Sequence, residues 1–151
     1  MNTWVLRAVV LGALVVFLRA VLGFAMVNWP THGALLRLLC LLIVVAAVVA
    51  WGVLDGRADR ARIERGGQGA DLTMRWLRAG LAGGIGSGLV AWILDFLPRF
   101  DLGDNGLLFE LTAGAAFIVL LIFVPALIGA AIGRRAGGGR KTSAHPQAAP
   151  A

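Results

Sequence analysis

Residues 33–54 read GALLRLLCLLIVVAAVVAWGVL, and residues 55–65 that follow at once read DGRADRARIER. The first stretch carries a single charge, Arg37, and is as long as the roughly 20 apolar residues that cross a hydrocarbon core about 30 Å thick. The second holds Arg57, Arg60, Arg62 and Arg65. An apolar run that ends in arginines reads as a membrane span with its end on the cytoplasmic side.

Working outward from that pair, three further runs have comparable length. One spans about Trp4 to Val27 and is interrupted by Arg7 and Arg19; the others span about Met74–Leu97 and Leu107–Gly133. No alternating pattern suggests a barrel, and in lipid each backbone group must be bonded internally, so the runs are expected to be helices. The expected fold class is all-α: an integral membrane bundle of four transmembrane helices at about 4–27, 33–54, 74–97 and 107–133. It forms one domain over residues 1–135, with a cytoplasmic segment at 55–73 and a disordered cytoplasmic tail at 136–151.

Composition agrees with this. The chain has 151 residues, 59% of them hydrophobic and 15% charged, and its mean hydropathy is +0.84. Soluble domains lie near 45–50% apolar and about 25% charged. The net charge of +6 raises nucleic acid as a partner, but the basic residues flank apolar runs instead of forming a soluble basic face. Nucleic acid is therefore excluded.

Orientation follows from the same arginines. Arg57, Arg60, Arg62, Arg65, Arg75 and Arg78 gather around the middle segment, and Arg134, Arg135, Arg140 and Lys141 around the C-terminal end. The two opposite loops offer only Arg99, with Arg37 just inside a helix. Four crossings place both termini on the arginine-rich side, which is the cytoplasmic face of an inner (plasma) membrane. The long first run with its late Arg19 argues against a cleaved signal peptide.

Local signals set the expected helix ends. Asn28-Trp29-Pro30 separates the first two helices. Asp55-Gly56 is expected to close the second span, with Ala58–Arg65 continuing as a short charged helix in which Arg60 and Glu64 are spaced for an i,i+4 pair. Asp71 reads as the N-cap of the third helix, and Asn105-Gly106 as a turn before the fourth. Pro125 falls inside the fourth helix, where it removes one backbone hydrogen bond.

Candidate functional residues are few. Arg19 lies only about 5 Å beyond the midplane if the first helix is centred on 4–27, where an arginine costs about 2.5–3.5 kcal/mol on insertion scales. Its side chain leans towards the cytoplasmic N-terminus, away from its nearer interface, so it is expected to face the bundle. Glu110 is its best-matched partner in depth, with Asp95 second. Two readings stand side by side: a structural ion pair that fixes register, and a site for a charged substrate or a proton, an arginine suiting an anionic or zwitterionic solute.

Gly80, Gly84 and Gly88 stack on one face of the third helix, and Gly129 and Gly133 repeat the spacing in the fourth. Small residues at this interval let helices approach closely in lipid, either within the bundle or across a homo-oligomer seam. Arg57, Arg60, Arg62 and Arg65 are placed to hold anionic lipid headgroups. The lone Cys40 excludes an intrachain disulfide and a cysteine-based metal site, and His32 and His145 are isolated. No residue set reads as an enzyme, a metal site or a cofactor site.

Several stretches resemble one family, the actinobacterial four-span proteins described as drug/metabolite-transporter-like. They are Asp55-Gly56-Arg57-Ala58-Asp59, Asp71-Leu72-Thr73-Met74-Arg75-Trp76 running into Ala79-Gly80-Leu81, Glu110-Leu111-Thr112, Ala115-Ala116-Phe117, Phe123-Val124-Pro125-Ala126 and Gly133-Arg134. The resemblance covers most of the chain up to Arg135 and implies a small-solute transporter in the inner membrane. The four-helix multidrug pumps of that superfamily use a glutamate in the first helix to exchange protons for cationic drugs; here that helix holds Arg7 and Arg19 and no acid. A different class of function stays open beside transport: a membrane scaffold or accessory subunit that binds partner helices and anionic lipid.

Overall fold

The computed structural model describes residues 3–95 and 110–137, and among them the chain is all-helical. Helix α1 is Thr3–Asn28, α2 is Gly33–Glu64, α3 is Leu72–Asp95, and α4 is Ala115–Gly137. A 3-10 turn, Pro30–His32, joins α1 to α2, and a π-helical turn, Glu110–Gly114, leads into α4. Among the described residues three segments are long and apolar enough to cross a membrane, Trp4–Asn28, Gly33–Glu64 and Thr112–Gly137; α3, expected to be a fourth span, is not one of them. The expected Asn105-Gly106 turn and the tail beyond Gly137 lie outside the described residues.

The helix ends show which local signals the chain obeys. At the end of α1 the Asn28 side-chain amide donates to the Phe24 carbonyl at 2.8 Å, and Pro30, which has no N–H, opens the turn that follows. At the start of α3 the Met74 N–H donates to Asp71 Oδ1 at 2.9 Å, while Arg75 N–H reaches the Asp71 carbonyl at 3.2 Å. That is the geometry of an N-cap.

Asp55-Gly56 does not end a helix. Helix α2 runs through it for 32 residues, about 48 Å at 1.5 Å per residue, so its last turns project past a hydrocarbon core. The true end is a Schellman motif: Gly66 N–H donates to the Ile63 carbonyl at 2.9 Å and Gly67 N–H to the Arg62 carbonyl at 3.1 Å, with Gly66 at φ +80°. The charged last turns of α2 include the Arg60–Glu64 pair at 3.0 Å.

Packing is closest between α2 and α4. A Cβ at Gly52 would overlap the Ala126 carbonyl oxygen, and one at Gly56 the Ala130 carbonyl oxygen; Gly129 and Gly133 stand in the same relation to the carbonyls of Val49 and Val53. Four glycines, two on each helix and four residues apart, thus bring two backbones into contact. The contacts advance in the same chain direction on both helices, so α2 and α4 are parallel. Gly80 and Gly84 of α3 face Val119 and Ala115 of α4 in reverse order, so α3 is antiparallel to α4. Leu11, Val48, Trp76, Ile122 and Ala126 form the buried centre. The large aliphatic and aromatic side chains mostly point outward: Phe24 is 71% exposed and Leu35 65%. Glycine and alanine at the helix contacts, with many bulky apolar side chains exposed on the outside, is the arrangement expected of a protein solvated by lipid.

Candidate functional site

Among the described residues the most polar buried region lies at one end of the bundle, where α1 begins, α2 ends, α3 begins and α4 ends. Arg7 of α1 grips Asp55 of α2 with two parallel bonds: Nε to Oδ2 at 3.0 Å and a terminal nitrogen to Oδ1 at 2.6 Å. The side chains are 7% and 12% exposed. This fork geometry is the strongest common form of ion pair. The guanidinium also stands over two indoles, 5.9 Å from the Trp51 ring and 5.5 Å from the Trp76 ring, within the range of cation–π attraction. Trp51 lies one turn before Asp55 on α2, so one helix face supplies both the carboxylate and an aromatic wall. Trp76 is fully buried, and its indole Nε1 has no hydrogen-bond partner among the described residues.

One turn farther along α2, Asp59 closes a second polar knot. Its side chain is 1% exposed. It accepts from the Ala70 N–H at 2.6 Å and from Arg134 of α4 through Nε at 2.9 Å and a terminal nitrogen at 2.8 Å. Asp55 and Asp59, on one row of α2, therefore hold the start of α1, the approach to α3 and the end of α4. A buried carboxylate held by a guanidinium and a backbone N–H has the partners its lone pairs need.

The residues singled out from the sequence are placed as follows. Arg19 is half-buried and lines a cleft of about 320 Å³ between α1, α2 and α4, whose other walls are apolar, with Leu22, Cys40, Leu41 and Phe117 among them. The side chains of Glu110 and Asp95 lie outside the described residues, so the proposed pairing with Arg19 does too. Gly80, Gly84 and Gly88 are buried, Gly80 and Gly84 against α4. Arg57, Arg60, Arg62 and Arg65 are exposed at the charged end of α2, joined there by Arg78 of α3 and Arg135 of α4.

Sequence reasoning passed over Arg7, Asp55 and Asp59. The signal was present: Arg7 lies near the start of the first run and Asp55 at the arginine-rich end of the second, ends that the sequence reading expects on one side, so matching depths pairs them. Taking Asp55-Gly56 for a helix stop removed Asp55 from consideration. Comparison of the chain with protein-family models and with curated proteins gives no match.

Proposed function

We propose that this chain is a four-span scaffold or accessory subunit of the inner membrane, with both termini cytoplasmic, and not a carrier of solute. The observation that carries the reading is the mutual engagement of the charges at one end of the bundle, two of them, Arg7 and Asp59, buried. Arg7–Asp55 and Arg134–Asp59 tie helix ends to one another, so both carboxylates are already engaged by a guanidinium of the chain itself. The four-span arrangement is supported by helix direction: α2 and α4 are parallel, so the chain must return between them, and α3 runs antiparallel against α4. The exposed arginines at the same end favour its cytoplasmic placement. A cysteine at Gln68 in a Cys40→Ala background is expected to resist a membrane-impermeant maleimide on intact cells; full labelling there would invert the orientation.

Transport of a small solute, in the manner of drug/metabolite transporters, is the second reading. It is favoured by Arg19 beside its cleft, a charge suited to an anionic or zwitterionic solute. Purified protein in liposomes separates the two. The scaffold reading expects a panel of labelled anionic, zwitterionic and cationic solutes to enter no faster than into protein-free vesicles. Saturable uptake that Arg19→Leu abolishes without lowering the melting temperature would overturn the scaffold reading in favour of transport.

A further inference from the structure

A groove of about 670 Å³ runs between α1 and α3. Its floor is built of small residues, with Gly12 and Gly83 facing each other (a Cβ on Gly12 would stand 3.6 Å from the Gly83 Cα) and Gly86 looking into open space. Among the described lining residues the Ser87 hydroxyl already donates to the Gly84 carbonyl at 3.0 Å and the rest are apolar apart from the Trp4 indole N–H at one end, so the groove offers a polar solute little to bind. We propose that it holds one acyl chain of an anionic phospholipid from the leaflet at the basic end, with the phosphate on Arg78. The proposal deepens the scaffold reading and rests on its membrane placement.

Charge and length both select this occupant. Arg78, Ala82, Gly86 and Val90 are spaced by four residues on α3, and the last three line the groove. Arg78 is exposed one turn nearer the basic end, and its side chain leans towards the helix N-terminus, which is that same end. It therefore stands at the groove's mouth at headgroup depth, where a guanidinium binds phosphate in a planar fork. Trp4 lines the mouth on α1, at the level where tryptophans sit in membrane interfaces. From Trp4 to Phe17, its far wall, the groove extends about 20 Å at 1.5 Å per residue. That covers one leaflet, about half of a 30 Å core, and stops soon after. A partner helix crossing the whole membrane would need a seam half as long again.

The test measures lipid retained by the full chain in detergent, by native mass spectrometry with added phosphatidylglycerol or phosphatidylcholine. One phosphatidylglycerol is expected to stay bound to the unmodified chain. Gly86→Phe, which fills the groove from a position with free space, should weaken it at least tenfold, and Arg78→Gln should remove the preference over phosphatidylcholine. Unchanged retention in Gly86→Phe overturns the site. So does a shift from dimer to monomer with retention intact, which would make the groove a seam between copies. A second measurement is independent of how Gly86→Phe folds. In vesicles, phosphatidylglycerol brominated on its acyl chain should quench tryptophan fluorescence more than phosphatidylcholine carrying the same chain, and Trp4→Phe should erase the difference. Equal quenching by both lipids in the unmodified protein sinks the proposal. Neither outcome bears on solute uptake, so the lipid site and the scaffold reading fail separately.

Discussion

The α2–α4 seam and the α1–α3 seam are both lined with glycine and alanine, yet one is closed to backbone contact and the other opens into a groove. In the first, Gly52 and Gly56 fall opposite Ala126 and Ala130 while Gly129 and Gly133 fall opposite Val49 and Val53, so small positions interlock on both helices. In the second, Gly12 and Gly83 make only ordinary contact, and the neighbouring small residues border empty space. Small residues therefore permit close approach without enforcing it; register decides. The difference also shows why α1 needs a charge. With a loose seam to α3, it is held to the bundle by Arg7, through Asp55 and the two indoles.

The largest expected effect comes from breaking that attachment. Arg7→Leu leaves the Asp55 carboxylate buried without its partner, and loss of one member of a buried pair typically costs about 3–5 kcal/mol. Asp55→Leu should cost as much, and the double variant should recover most of the loss, because apolar replacement of both partners is often nearly neutral. Thermal unfolding of the four proteins in one detergent reads the coupling. Additive losses in the double variant would mean that the two residues do not hold α1 through each other.

The closed seam should respond next. Gly56→Ala or Gly133→Ala puts a methyl group into a facing carbonyl, so the backbones must part; overpacking of this kind costs about 1–3 kcal/mol. Gly84→Leu on α3 belongs with them, since a Cβ there would already meet Ala115 O at 2.9 Å. The paired control is Gly86→Leu, for which nothing lies within 4 Å. Equal losses at Gly56 and Gly86 would erase the distinction between the seams.

Much of this fold was legible in the sequence because the membrane imposes its own length on apolar runs. The all-helical class, three long apolar helices, the Asp71 cap and the Arg60–Glu64 pair all follow from spacing alone. Asp55-Gly56 misled because Asp-Gly marks a turn in water, where an exposed helix must be stopped. Inside a lipid-solvated bundle the same glycine is a contact surface, and the aspartate one residue before it is an ion-pair partner. The real stop, Gly66-Gly67 after Arg65, was readable as the first glycine pair beyond the charged helix. Arg19 drew attention because it is the deeper arginine. Arg7 is the one gripped by Asp55, and finding it required knowing that the ends of α1 and α2 lie together, which depth-matching supplies and sequence separation hides.

The smallest effect sharpens the comparison by reversing its sign. In Gly12→Ala the new methyl group would stand 3.6 Å from the Gly83 Cα and carbonyl oxygen, an ordinary van der Waals distance that adds contact without displacing either backbone. Alanine also favours the helix over glycine, by about 0.8–1.0 kcal/mol in water. Part of that figure reflects backbone exposed to water, so the gain in a lipid-solvated helix should be smaller. Gly12→Ala is therefore expected to raise the melting temperature slightly, while the same substitution at Gly56 lowers it. A pair of melting curves in one detergent decides the matter. If Gly12→Ala destabilises as Gly56→Ala does, the α1–α3 seam is as tightly interlocked as α2–α4, and the groove beside it is too narrow to admit an acyl chain.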